Sequence, residues 1–231
     1  MAASIPTGDN SPSSETVRIS LSGSRALLLD AAQGRFDPLV QQRIWSVGSD
    51  ILAAPGICES VPGMNNLLVT YDPLATEPAS VRAELLEMWN AAEGTTMAGK
   101  TIEVPVLYGG ERGEDLADWA AHCGLPIEEA VRRHAAATYS VAAVGGFPGF
   151  PYLSGLDPNL ARGRRASPRA RLRKGDVILG GEQASIMPTD GPSGWHVIGT
   201  TEIALFDHRR TPPALLTPGD RLRFVVKGIA L

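Results

Sequence analysis

Residues 145–158 read GGFPGFPYLSGLDP, with four glycines, three prolines, two phenylalanines and one tyrosine in fourteen positions. Pro148, Pro151 and Pro158 each fix φ and remove a backbone donor. Gly145, Gly146, Gly149 and Gly155 open backbone angles that other residues resist. The stretch is therefore expected to be neither a regular helix nor a central strand, but a rigid loop carrying aromatic side chains. Rigid loops on a scaffold are where sites are usually built. Beyond residue 138 the chain continues as short strands, loops and Gly/Pro turns, among them Gly180-Gly181-Glu182-Gln183 and Pro192-Ser193-Gly194-Trp195. That pattern predicts a β-barrel or sandwich.

Upstream of the loop, Thr101 to Tyr108 alternates as a strand and ends in Gly109-Gly110. Helices are predicted over about 115–123 and 126–137, the second with Pro126 in its first turn. The pattern changes further towards the N-terminus. Residues 16–22 and 25–30 read as two strands joined by a Ser-Gly-Ser turn. Val40, Ile44, Val47 and Ile51 recur at helical spacing, with Asp37 as N-cap before Pro38. Residues 57–61 and 66–71 read as strands around Pro62-Gly63-Met64-Asn65. Val81, Leu85, Met88 and Trp89 share one face of a helix over 80–92. The order strand-strand-helix-strand-strand-helix is a compact α+β unit. The expected division is a disordered polar tail at 1–15, an α+β domain at 16–95 and a mainly-β domain at 96–231.

The 231 residues are 43% hydrophobic and 20% charged with a net charge of −4, as in a soluble globular protein, and give no reason to expect nucleic acid or a membrane as partner. No signal-peptide core precedes the domain, and no run reaches the ~20 apolar residues of a membrane span. Two cysteines, Cys58 and Cys123, make no disulfide framework, so the expected compartment is the cytoplasm, with both thiols reduced. The basic cluster from Arg162 to Lys174 reads as a solvated loop rather than an anion site.

Gly94 to Thr101 reads GTTMAGKT, a literal match to the phosphate-binding pattern G-x-x-x-x-G-K-[ST]. A working phosphate loop follows a strand and opens a helix. Here a helix precedes the match and Thr101 starts a strand, so no nucleotide is expected at it. The acidic run Glu111, Glu114, Asp115 and Asp118 flanks a helix start, where carboxylates cap free N–H groups. The four histidines lack metal-ligand spacing, and no metal is expected. A lone helical histidine is usually structural; His134, just upstream of the loop and near Tyr139, is the one that is also a candidate for a catalytic or ligand-binding role. Gln183 offers an amide donor and acceptor. With Phe147, Phe150, Tyr152 and Trp195 it is expected to line a pocket for a small polar planar molecule, the aromatics having barrel core as their other reading.

The chain resembles the family that holds the B subunit of 5-oxoprolinase, the kinase inhibitor KipI and allophanate hydrolase subunit 1, the first half of a carboxyltransferase domain. The resemblance rests on Pro62-Gly63-Met64-Asn65-Asn66, Val104-Pro105-Val106-Leu107-Tyr108-Gly109-Gly110 and Cys123-Gly124-Leu125. It continues through Pro148-Gly149-Phe150-Pro151-Tyr152-Leu153, Arg164-Arg165-Ala166-Ser167-Pro168-Arg169, Gly194-Trp195 and Pro218-Gly219-Asp220. It implies an α+β N-terminal domain followed by a mainly-β cyclophilin-like barrel. It further implies one component of an ATP-dependent enzyme that opens 5-oxo-L-proline to L-glutamate, inactive alone and working with a KipA-like C subunit and an A subunit. Set against it, His134 and Gln183 become the expected catalytic residues. Tyr139, Pro148, Gly149, Phe150, Pro151, Tyr152 and Trp195 become the expected substrate-binding residues, with backbone N–H groups of the loop at 148–152 holding the carbonyl oxygen. ATP is expected to bind elsewhere in the complex. The same resemblance admits a KipI-like inhibitor of a sensor histidine kinase, or a component of a urea carboxylase-type carboxyltransferase.

Overall fold

The computed structural model describes residues 17–92 and 99–231; the expected tail at 1–15 and the expected boundary at residue 95 lie outside them. The first unit contains β1 (Arg18–Leu21), β2 (Ala26–Asp30), α1 (Pro38–Asp50), β3 (Ile57–Pro62), β4 (Asn66–Tyr71) and α2 (Pro78–Ala91). The strands form one antiparallel sheet in the order β1-β2-β4-β3. Leu27 and Leu29 of β2 and Leu67 and Val69 of β4 point to the same face, as a period of two requires. There they meet Ile44 of α1 and Leu85 of α2 in a closed apolar core. Asp37 caps α1, its carboxylate accepting from the amides of Leu39 and Val40 at 2.7 and 3.3 Å.

The second unit opens with β5 (Thr101–Gly109), α3 (Leu116–His122) and α4 (Ile127–Ala136). β6 (Tyr139–Val144), β7 (Pro151–Ser154), β8 (Arg169–Leu172) and β9 (Asp176–Gly180) follow. The chain ends with β10 (Gln183–Ile186), β11 (Gly191–Ser193), β12 (His196–Thr200) and β13 (Arg221–Ala230). Seven of these strands close a barrel in the order β10-β7-β6-β13-β5-β12-β9, and β8 and β11 form a separate ribbon. The neighbours β5 and β13 run parallel over nine residue pairs, with a one-residue bulge between Val226 and Gly228. Val104, Val106, Leu153, Leu179 and Leu222 fill the interior, so the barrel is a packed core and not a channel.

The loop at 145–158 is shorter than its composition predicts. Pro151–Ser154 is β7, a barrel strand between β6 and β10. Pro151 stands at its first residue, where a missing N–H is tolerated, so only residues 145–150 remain irregular before it. Gly149 sits there at φ +76°, and a Cβ on it would lie 2.9 Å from Phe206 Cβ. No other residue fits without displacing that contact.

A bulge joins the two units. The β6–β7 register slips between Val141 and Ala143, which leaves Ala142 outside the ladder. The Ala142 carbonyl instead accepts from Gln41 Nε2 at 3.0 Å and from Trp45 Nε1 at 2.9 Å, both on α1. Gln41 is fully buried, and its carboxamide is engaged on both sides: Nε2 also donates to the Gly63 carbonyl at 3.0 Å, and Oε1 accepts from the Asn65 amide at 2.7 Å. Replacing Gln41 by Leu keeps the volume but strands these buried groups, each worth about 1–3 kcal/mol. Gln41→Leu is expected to lower the unfolding free energy by about 2–4 kcal/mol in urea titration. Arg18→Ala, which removes the surface pair with Asp30, is expected to change it by less than about 1 kcal/mol.

Candidate functional site

A cleft of about 1390 Å³ runs between the two units. Arg35, Asp37 and Asn65 line it from the α+β side, and Ser140, Arg164 and Gln183 from the barrel side. Asn65 is a non-glycine residue at positive φ, +54°, a region that Asn tolerates better than most. Its side chain is fixed there: Oδ1 accepts from the Asp37 amide and Nδ2 donates to the Asp37 carbonyl, both at 2.7 Å. The turn at 63–65 thereby sets the start of α1 against the cleft wall. At the mouth, Arg35 and Glu182 pair across the two units at 3.3 Å. Both are largely exposed, so the pair adds little stability.

Gln183 opens β10 on the cleft wall, half-buried. Among the described residues its side-chain amide has no protein hydrogen-bond partner, so its donor and acceptor are free for a ligand. The loop aromatics lie elsewhere. Phe150 and Trp195 are buried in a small cluster with Leu172, Ile178, Met187 and Val197, with Phe147 and Tyr152 packed at its edge. Beside it is a second pocket of about 220 Å³, lined by Phe147, Phe150, Tyr152, Arg164 and Trp195 among others. Gln183 and the aromatics therefore do not share one pocket. They flank two, and Arg164 lines both. Two of the five residues at 148–152 are prolines, and the Phe150 amide already donates to the Phe147 carbonyl at 3.0 Å. That leaves the loop few amides to hold a carbonyl oxygen.

His134 and Tyr139 lie in the barrel core and line neither cavity. His134 is completely buried, stacked on Phe224 with ring centroids 4.6 Å apart. The Tyr108 hydroxyl and His134 Nδ1 share a 2.8 Å hydrogen bond, the Tyr139 hydroxyl donates to the His134 carbonyl at 3.0 Å, and Nε2 has no partner. Burial pushes the imidazole pKa down to about 3. At neutral pH this ring is uncharged and holds α4 to the barrel.

The acidic run does not cap helix α3 through Asp115, whose side chain makes no N-cap hydrogen bond. Asp115 is buried and accepts from Arg165 at 3.0 Å, from Arg169 at 2.7 and 3.0 Å, and from the Val197 amide at 2.7 Å. Burial alone would raise its carboxyl; the bonds and charge of Arg169, the Val197 amide and Arg165 outweigh that, and the net shift is downward. Much of the basic cluster is thus paired structure rather than a solvated loop, with Arg162 on Asp118 at 2.8 Å and Arg171 on Asp190.

The residues of the GTTMAGKT match do not fit a nucleotide. Its first part, at 94–98, lies outside the described residues. A Cβ on Gly99 would sit 2.2 Å from the Gly219 carbonyl oxygen, so this glycine serves close backbone packing. The Lys100 ammonium lies 3.6 Å from Asp220, and Thr101 begins β5 instead of a helix.

Residues 17–216 match the family described as the carboxyltransferase domain, subdomain C and D. The chain belongs to this family. It is 41% identical over 189 residues to the B subunit of 5-oxoprolinase from Escherichia coli O157:H7, covering 80% of this chain and 85% of that one. Among solved structures it is similar to TTHA0988, at 33% identity and a TM-score of 0.75. The match covers 87% of this chain and 40% of that one, so the chain spans about two-fifths of TTHA0988. It also resembles the Kluyveromyces lactis urea carboxylase, at a TM-score of 0.77 and 20% identity, covering 91% of this chain and 22% of that one. That likeness shows the fold alone. No described helix is long and apolar enough to cross a membrane.

Sequence reasoning misses the cleft because its walls come from distant segments, and it does not separate Arg164 from the other arginines. Asn65, inside the Pro62-to-Asn66 motif, is the readable signal, being a turn residue suited to positive φ. The depressed His134 pKa gives a test of its structural role. The unfolded imidazole, at about 6.5, takes its proton before the folded one does. Its contribution to stability is therefore complete above about pH 6.5 and declines as pH falls towards 3. Between pH 6 and 5 the protein is expected to lose roughly 1 kcal/mol from this group. His134→Gln should show a shallower stability profile in that window by denaturant titration at each pH.

Proposed function

We propose that the chain is the B subunit of an ATP-dependent 5-oxoprolinase, which opens 5-oxo-L-proline to L-glutamate with a KipA-like C subunit and an A subunit. In this reading the chain is inactive alone. Its part is to hold the lactam in the cleft between its two units. The family, and the name of the E. coli relative, support the reaction class. The observation that carries the role is the Gln183 carboxamide on the cleft wall, without a protein hydrogen-bond partner among the described residues.

A five-membered lactam is locked cis, so its C=O and N–H lie on one edge. A carboxamide offers N–H and C=O on one edge in the complementary order. Gln183 therefore suits two-point pairing with a lactam. Its N–H stabilises charge on the lactam oxygen as the carbonyl carbon is attacked, and its oxygen holds the ring nitrogen. The walls at Asp37 and Asn65 are fixed by hydrogen bonds before any ligand enters, so the site is preorganised. His134 has no place in this scheme, because it lies in the core away from the cleft. The nucleotide is held elsewhere in the complex.

The test uses the complex reconstituted from its three components, with glutamate release from 5-oxo-L-proline as the readout. Gln183→Ala should lower kcat/KM by about 10- to 100-fold, the value of losing two hydrogen bonds to a reacting group. Wild-type turnover in that variant would remove Gln183 from the site. Lys100→Ala should leave nucleotide binding by the complex as it was, and a large loss would restore the phosphate-loop reading.

A further inference from the structure

Arg164 stands apart from the arginines around it. Arg162 pairs with Asp118, and Arg165 and Arg169 pair with Asp115. Arg164 forms no ion pair among the described residues. Its guanidinium carbon instead lies 5.6 Å from the centroid of the Trp195 ring, within the range of a cation–π contact. This places it on the seam where the inter-unit cleft and the aromatic pocket meet.

The backbone on both sides of it is pinned. Arg162 and Gly181 exchange hydrogen bonds at 3.2 and 2.6 Å, which tie the segment to the turn before Gln183. His196 Nε2 and the Gly163 carbonyl share a 2.9 Å hydrogen bond. The Arg165 amide donates to the Gly194 carbonyl at 2.7 Å. The same framework thus fixes Arg164 relative to Gln183 and Trp195. The cleft's other charges are already engaged: Arg35 and Glu182 pair with each other, and the Asp37 carboxylate accepts from two amides of α1. Arg164 is the one cation of the cleft lining without a protein anion among the described residues.

We infer that Arg164 is the subsite for the substrate's carboxylate, the group that distinguishes 5-oxo-L-proline from a plain lactam. The inference rests on the reading that the cleft binds this lactam. A planar guanidinium offers a carboxylate two parallel N–H donors. The cation–π contact with Trp195 biases the guanidinium towards the seam, which lowers the ordering cost of binding. Gln183 would then read the amide edge of the ring and Arg164 its carboxylate, two recognition points on one cleft wall.

The experiment uses the reconstituted complex. It compares the KM for 5-oxo-L-proline with the inhibition constant of 2-pyrrolidinone, the same lactam without the carboxylate. Wild type should favour 5-oxo-L-proline. Arg164→Ala should raise the KM at least about tenfold, more than it changes kcat, and should narrow that preference by a similar factor. Arg164→Lys keeps the charge but not the fork and should recover part of it. An active complex whose KM and preference are the same in Arg164→Ala refutes the carboxylate subsite and leaves the lactam reading standing. A wild-type complex that does not act on 5-oxo-L-proline refutes both.

Discussion

The carbonyl of Ala142 is the constraint on which the site depends. A one-residue slip in the β6–β7 ladder turns this acceptor out of the barrel, and two side chains of α1 take it up. An acceptor buried without a partner is costly, so Gln41 and Trp45 satisfy the bulge while tying the first unit to it. Gln41 carries the constraint onward to Gly63 and Asn65, and Asn65 to Asp37. One chain of hydrogen bonds therefore runs from a barrel strand through a helix to the far wall of the cleft. That chain ties the two walls of the cleft together, and the exposed Arg35–Glu182 pair at its mouth adds little to it.

A second anchor orients the opposite wall. Asp115 is buried and gathers Arg165, Arg169 and the Val197 amide. Removing such a carboxylate would leave cations without their partner near a low-dielectric interior. Through Arg165 and Arg169 it holds the segment at 164–169 against β12. Pairing these arginines internally is also what leaves Arg164 as a free cation at the seam, among the described residues. Paired and unpaired arginines are thus separated, among the described residues, within one short run of sequence.

Much of the fold is legible in the sequence because local signals agree with one another. Asp37-Pro38, the spacing of Val40, Ile44, Val47 and Ile51, and the alternation in 66–71 each point to the element that forms. The segment 151–154 reads as loop because the proline and glycine content of the stretch around it, 145–158, outweighs two facts that sequence does not show: Pro151 falls at the first residue of its strand, and the strand is closed on both sides by β6 and β10. The site is half legible. Gln183 stands out for its chemistry and does face the cleft, whereas His134 stands out by its place in the chain and lies in the core. Phe150 and Trp195 are legible as aromatics but not as a small core outside the barrel. Which arginine is free depends on where Asp115 and Asp118 come to lie, and no spacing rule encodes that.

In the proposed reading the lactam sits between the two units, and not in the aromatic pocket or wholly on a different component of the enzyme. A crystal structure of the reconstituted complex with 5-oxo-L-proline tests this most directly. Density for the ring is expected in the cleft, with its amide edge against the Gln183 carboxamide and Asp37 and Asn65 forming the facing wall. Ring density outside that cleft, with Gln183 facing only solvent or protein, would contradict it.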